Sequence, residues 1–257
     1  MKNLVVFLLM LPLLAAGGGQ TVMTGNHRHV FASSPVLVFN MPLNEGGAAT
    51  TAIDSVSGNN GTWSGTKSCS GSYYVNLPPN VGCFDGSTNY ITLTSNTGLN
   101  LTTNFSVVAW VYYTGTPTAG AFPRIFSNST AAVTGGYELL LHDTSGSVSN
   151  LLYFQGVNSG STVAAYANSP IASNTWICVA GTYDGTKGRL YINGTLQSTI
   201  YDTFNSNTVG SSSQTPTIGY AVFAPSATKW TGRIADVQVY NTTLTAGQIT
   251  TACGSAP

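Results

Sequence analysis

The chain has 257 residues, of which only 6% are charged, and its eight basic and eight acidic side chains cancel. Soluble domains carry about 25% charged residues, so the surface here must be built from hydroxyls and amides. No cluster of Lys or Arg occurs, which excludes nucleic acid and an anionic membrane surface as partners, because both are held by local positive charge.

In chain order, Lys2 precedes an apolar run from Leu4 to Leu14, followed by Ala15, Ala16 and Gly17. These are the charged, apolar and small-residue regions of a secretory signal, assigned to residues 1–17. The run is short and contains Pro12, so it does not span a bilayer comfortably. Residues 18–34 show no period and read as a linker, within which His27-Arg28-His29 is a weak pattern for a metal site. A single domain is expected over 35–257, since β-sandwiches reach this size in one piece.

From Pro35 onwards, short apolar or alternating runs recur between Gly, Asn, Asp or Pro. They are Val36 to Met41, Tyr90 to Leu93, Phe105 to Tyr113, Tyr137 to His142, Leu151 to Gln155, Thr162 to Tyr166, Trp176 to Tyr183, Arg189 to Ile192, Thr217 to Ile218 and Gly232 to Tyr240. β-Branched and aromatic residues dominate them, and only Leu244 to Thr251 has a helical pattern. This spacing is that of a sandwich or barrel. In Trp176 to Tyr183, one face carries Trp176, Cys178, Ala180 and Thr182 and the other Ile177, Val179, Gly181 and Tyr183. Neither face is polar, so the strand is expected to lie between layers, as is Phe105 to Tyr113. Asp184-Gly185 and Asn193-Gly194 mark two tight connections, hence a meander. No fixed-period repeat is present, which argues against a propeller or solenoid.

A secreted chain makes Cys69, Cys83, Cys178 and Cys253 disulfide candidates with three connectivities. The nearest pair, Cys69 with Cys83, is preferred; it closes a loop worth roughly 3 kcal/mol on the chain-entropy model. Cys178 with Cys253 follows, a buried free Cys178 being the alternative. Six Asn-x-Ser/Thr sequons, at Asn60, Asn100, Asn104, Asn128, Asn193 and Asn241, are candidate glycosylation sites that would supply solubility without charge.

Four segments resemble the laminin G-like branch of the concanavalin A-like jelly rolls, in that family's order: MPLNEGGAATTAIDSVSGNNGTWSG (41–65), CFDGSTNYITL with FSVVAWVYY (83–93 and 105–113), TWICVAGTYDGTKGRLYING (175–194) and TGRIADVQVYNTTLTAGQI (231–249). The resemblance implies an all-β, two-sheet antiparallel β-sandwich whose terminal strands are neighbours, with Val237 and Val239 opposing Leu37 and Phe39. It also implies a structural calcium at the Asp54 to Gly61 loop, with Asp54 and Asp236 as carboxylate ligands and Asn59 beside them, since calcium takes six to eight hard oxygens. The alternative for that loop is an Asx turn made by Asp54.

Some relatives of this fold hydrolyse β-glucans with a Glu-x-Asp-x-x-Glu strand, which this chain cannot build: its only glutamates are Glu45 and Glu138. Asp54, Asp85, Asp143, Asp184, Asp202 and Asp236 show no paired arrangement of the kind glycoside hydrolysis needs, and Asp85 and Asp184 precede Gly as turn formers do. His142 next to Asp143 makes no triad, because neighbours on a strand point to opposite faces. A recognition module would instead offer aromatic faces for sugar rings. Tyr112, Tyr113, Tyr153, Phe154, Tyr166, Tyr220, Phe223 and Trp230 are available, and Tyr113, Tyr220 and Phe223, in loop-like surroundings, are the preferred contacts. The expectation is a secreted, non-catalytic recognition or adhesion module for a glycan or an extracellular protein. The alternatives are a coat or matrix subunit, or a glycoside hydrolase with an unrecognised carboxylate pair.

Overall fold

The computed structural model describes residues 34–45, 49–65, 81–115, 120–130, 134–144, 148–197, 199–202, 208–224 and 228–254, with no side chains described at 143, 144, 148–150 and 199–202. The expected signal and almost all of the linker lie outside the described residues. Among those described, sixteen strands and one helix follow one another. The first eight strands are β1 (Leu37–Met41), β2 (Thr51–Ala52), β3 (Gly61–Ser64), β4 (Gly82–Asp85), β5 (Tyr90–Leu93), β6 (Asn104–Tyr113), β7 (Arg124–Ser127) and β8 (Gly135–Thr144). Then come β9 (Val148–Asn158), β10 (Ser161–Tyr166), β11 (Trp176–Asp184), β12 (Gly188–Ile192), β13 (Thr195–Leu196), β14 (Thr199–Asp202), β15 (Thr217–Ile218), β16 (Thr231–Tyr240) and the helix α1 (Ala246–Cys253).

They form the expected two-layer sandwich. A seven-stranded sheet runs β1-β16-β6-β11-β12-β13, with β4 also paired to β16, and a nine-stranded sheet runs β14-β10-β9-β8-β7-β15-β5-β3-β2. The terminal strands pair as neighbours, with Phe39 opposite Val239 and Met41 opposite Val237. The meander β11-β12-β13 is also present, its first turn closed by Gly185 at φ 89°.

The main core lies between the sheets. Odd-numbered residues of β6 and β11 (Phe105, Val107, Ala109, Val111, Tyr113, Ile177, Val179, Tyr183) meet Tyr137, Leu139 and Leu141 of β8 and Leu152 and Phe154 of β9. The Phe105 ring centroid lies 4.3 Å from that of Tyr137, 5.6 Å from Tyr183 and 6.1 Å from Phe154. Each such ring contributes about 1.5–3 kcal/mol by leaving water. Gly181 is required here: a Cβ at that position would sit 2.1 Å from Cδ2 of Phe154.

The second apolar face of β6 and β11 has a different cause. It points away from the other sheet and is covered by α1, whose Ile249 and Cys253 pack with Val108, Trp110, Cys178 and Ala180. The helix starts two residues later than its apolar pattern suggests because Thr245 is the N-cap, in a reciprocal capping box with Gln248, which satisfies two otherwise orphaned N–H groups. Cys178 and Cys253 form a disulfide, and Trp110 Nε1 donates to the Cys253 carbonyl at 2.7 Å. Trp176 is half-buried on this outer face, with its ring 5.6 Å from Tyr112, rather than between the layers. The Cys69 end of the other expected bridge lies outside the described residues. No helix among the described residues is long and apolar enough to cross a membrane.

Candidate functional site

The outer face of the nine-stranded sheet has no helix over it among the described residues, and its side chains follow from the register. Residues directly opposed in antiparallel strands share a face. Gln155 opposes Glu138, Glu138 opposes Ser127, and Ser127 opposes Thr217. The row continues through Thr92, Thr62 and Thr51. One polar side chain per strand, at about 4.8 Å spacing, thus crosses seven strands. A parallel row carries Tyr166, Tyr153, Leu140 and Arg124.

Where the two rows meet, Arg124 (4% exposed) and Glu138 (0%) form a buried ion pair. Arg124 Nη2 donates to Glu138 Oε2 at 3.1 Å and Nε to Oε1 at 3.3 Å, while Nη1 donates to the Phe122 carbonyl at 2.7 Å. Ser127 Oγ donates to Oε1 at 2.6 Å, and the Gln155 amide donates to Oε2. Burying two charges is tolerable only with such complete pairing. The guanidinium also lies 5.8 Å from the ring centroid of Phe122 and 5.4 Å from that of Phe223.

An aromatic shelf adjoins this network. The His142 ring is 5.0 Å from Phe122, 5.1 Å from Tyr153 and 5.7 Å from Tyr166, and the two tyrosines lie 4.4 Å apart. Phe122, His142 and Tyr166 are partly exposed. Apolar ring faces beside fixed amide, guanidinium and hydroxyl groups are the combination that holds a sugar, whose faces are apolar and whose edges carry hydroxyls.

The residues preferred from sequence separate. Tyr113 is a correction: as the last inward residue of β6 it is 4% exposed, with its ring 5.1 Å from Trp230 in the core, so it is no ligand contact. Tyr220 (9% exposed) stays on the outer face, its ring tilted against that of Tyr90 with centroids 4.1 Å apart. Phe223 is half-buried over Arg124. Sequence reasoning missed Arg124, Ser127 and Gln155, and weighed Glu138 only as an isolated carboxylate.

The Asp54 loop takes the Asx-turn form. The carboxylate accepts from the backbone N–H of Asn40 and Val56 (both 3.0 Å), Ser57 (3.2 Å) and Asn59 (2.9 Å), and from Ser57 Oγ (2.5 Å). Burial would raise its pKa, but the Ser57 hydroxyl and the backbone donors outweigh that and hold it below the ordinary value. Asn59 spends its side-chain nitrogen on Ser57 Oγ and the Thr97 carbonyl, both at 2.8 Å. Asp236 sits at φ 49° in a bulge of β16 and accepts from Gln238 at 2.6 Å, and burial raises its pKa. Five donors aimed at Asp54 leave little lone-pair density for a cation, and the two carboxylates share no hydrogen-bond partner. Among the described residues no cluster of three or more His, Cys, Asp or Glu side chains forms a metal site. These residues do not fit a shared calcium ion. Asp54→Ala is accordingly expected to cost about 1–3 kcal/mol through unsatisfied backbone donors, equally in EDTA and in millimolar calcium. A calcium-dependent rise in Tm of the unmodified protein would overturn this.

Of the sequons, Asn128 is a second correction: it is fully buried and its side-chain nitrogen donates to the Leu99 carbonyl at 2.6 Å, leaving no room for a glycan. Asn100 is exposed but tied to Ser211 Oγ and the Ser212 N–H, both at 2.8 Å. Asn60 is half-buried and accepts from the Asp54 N–H. Asn104, Asn193 and Asn241 are exposed.

The sequence profile described as the concanavalin A-like lectin/glucanases superfamily matches residues 85–250. The chain belongs to this superfamily. No curated protein sequence matches it. Among solved structures, this superfamily member is similar to domain 4 of an extracellular arabinanase from Geobacillus stearothermophilus, in complex with arabinotriose. The two are 18% identical with a TM-score of 0.62, over 86% of this chain and 99% of that one. It is also similar to the binding domain of botulinum neurotoxin serotype G (18% identity, TM-score 0.56, 84% of this chain and 50% of that one), and to a heptameric pentraxin from Limulus polyphemus (19%, 0.50, 67% and 80%). At these identities the likenesses establish the fold.

Proposed function

We propose that the protein is a secreted, non-catalytic carbohydrate-recognition module that binds through the outer face of the nine-stranded sheet. The observation that carries this reading is the Phe122–His142–Tyr153–Tyr166 shelf standing beside the buried Arg124–Glu138–Gln155–Ser127 network. The opposite layer has its outer face occupied by α1, so this face is the broad surface left to a ligand. Membership of a lectin/glucanase superfamily and likeness to a domain solved with arabinotriose support a glycan ligand. The Cys178–Cys253 disulfide supports an oxidising compartment.

A binding role is favoured over hydrolysis by the state of Glu138. Both its oxygens are occupied by Arg124, Ser127 and Gln155, whereas a glycosidase acid or base must face the scissile bond with a second carboxyl at roughly 5–10 Å.

A glycan array probed with the purified protein and a Tyr153→Ala/Tyr166→Ala variant tests the reading. The unmodified protein is expected to bind a defined set of oligosaccharides, and the double variant to bind them roughly tenfold to hundredfold more weakly, at about 0.5–1.5 kcal/mol per ring. A blank array with correctly folded protein would remove the proposal.

A further inference from the structure

At the β5 end of the same face stands a group the network above does not use. Lys229 lies between two fully buried residues, Thr228 and Trp230. Thr228 Oγ1 accepts from the Ala221 N–H at 3.0 Å and donates to the Ala224 carbonyl at 2.8 Å, and the Trp230 carbonyl accepts from the Gly86 N–H at 2.9 Å. The backbone under Lys229 is therefore fixed. Its ammonium is placed as well: it donates to the Ser87 carbonyl and lies 5.4 Å from the Tyr90 ring centroid.

This cation has no anionic partner among the described residues, whose only ion pairs are Arg124 with Glu138 and Arg189 with Asp184. Asp85 shares the turn that Lys229 touches, yet its carboxylate is consumed by that turn. It accepts from the N–H of Ser87 (2.8 Å), Thr88 (2.7 Å) and Asn89 (2.8 Å) and from Thr88 Oγ1 (2.6 Å). Burial opposes ionisation of Asp85, but these donors prevail and lower its pKa to about 2. The turn thus holds its own anion and leaves the ammonium two protons to donate.

The surroundings suit an acidic sugar. Tyr90 and Tyr220 form an apolar wall with rings 4.1 Å apart, and Tyr220 Oη is 3.4 Å from Thr92 Oγ1, which places two hydroxyls at the ring pair whose Tyr90 the ammonium faces. Thr92 belongs to the polar row that leads to Glu138. A charge beside apolar rings attracts an opposite charge more strongly than one in open water.

We propose that Lys229, Tyr90, Tyr220 and Thr92 form a subsite for the anionic group of an acidic sugar, a carboxylate or a sulfate ester, at one end of the glycan-binding face. The inference rests on the recognition role of that face. A neutral sugar alone would leave the pinned ammonium without a use, and a protein with 6% charged residues has few cations to place.

Matched pairs distinguish the outcomes: 3′-sialyllactose against lactose, trigalacturonic acid against its methyl ester, and a sulfated chondroitin oligosaccharide against its desulfated form. Each is titrated calorimetrically against the full-length protein in 50 mM and 500 mM NaCl. At least one acidic member is expected to bind on the order of tenfold tighter than its neutral counterpart at low salt, the strength of one hydrogen bond to a charged group. High salt should compress that ratio. The acid-to-neutral ratio should fall to near one in Lys229→Gln and persist in Lys229→Arg, and the pair that responds tells carboxylate from sulfate. Equal binding of both members, or a preference surviving Lys229→Gln, overturns the inference and leaves the recognition reading standing. If Lys229→Gln lowers Tm and weakens both members alike, Lys229 only clamps the Asp85 turn and the inference fails. If no member binds folded protein and the glycan array is blank, both readings fall together.

Discussion

Glu138→Ala is expected to destabilise the domain by about 3–5 kcal/mol, the cost of stranding a buried charge. Arg124 is 4% exposed and two of its three nitrogens point at Glu138, so without the carboxylate a guanidinium is left in the sheet with neither water nor counterion. Ser127 and Gln155 lose their acceptor at the same time. The loss is read as a fall in the midpoint of urea unfolding at unchanged slope. Replacing both charges, as Arg124→Met/Glu138→Leu, removes the stranded group, and stability is expected to return to within about 1–2 kcal/mol of the original, while glycan binding is lost with the polar floor. If Glu138→Ala costs less than 1 kcal/mol, the pair is not the buried network described. If the double variant binds glycans normally, the floor plays no part in recognition.

The Cys178→Ala/Cys253→Ala pair is the second large effect. The bridge links residues 75 apart, and closing a loop of that length restricts the unfolded chain by about 4 kcal/mol on the entropic model. For a domain of this size that is a fall in Tm of roughly 8–16 °C. The consequence in the fold is local: α1 is only eight residues long, too short to persist alone, and it stays on its sheet through Ile249, the Trp110 bond to the Cys253 carbonyl and the bridge itself. The variant is expected to lose amide protection in α1 first. Its glycan affinity should be unchanged, because the helix lies on the layer away from the proposed binding face. A Tm within 2 °C of the original would show that the bridge adds little beyond packing.

Much of the sandwich was legible because alternation is a local signal. Trp176 to Tyr183 and Phe105 to Tyr113 announced two apolar faces, and Val237 and Val239 do pair with β1, Val239 with Phe39 as expected but Val237 with Met41 in place of Leu37. What local pattern could not give was which face meets which layer. The even face of β11 reads as interior because a helix from the far end of the chain covers it. The same limit hid the site. Tyr113 reads as loop because Thr114-Gly115 follows it, yet parity along β6 turns it inward. Arg124 and Glu138 are fourteen residues apart and become partners only through the β7–β8 register. One signal was present: in a chain so poor in charge, an Arg and a Glu set in strand-forming runs have to answer each other. Gln155 and Thr217 gave none, since nothing in their neighbourhood distinguishes them from other polar strand residues.

The row from Gln155 to Thr51 is assembled from seven strands between positions 51 and 217, and its central member, Thr217, is the one that comes from beyond Gln155 in the chain. Until β15 has inserted between β7 and β5, Ser127 and Thr92 are not joined through Thr217, and a partly folded chain displays two half-surfaces in place of one. Under the proposed recognition role, a ligand long enough to span both halves would be held only by molecules in which β15 is in place, so retention of long over short ligands would report on completed assembly of this sheet.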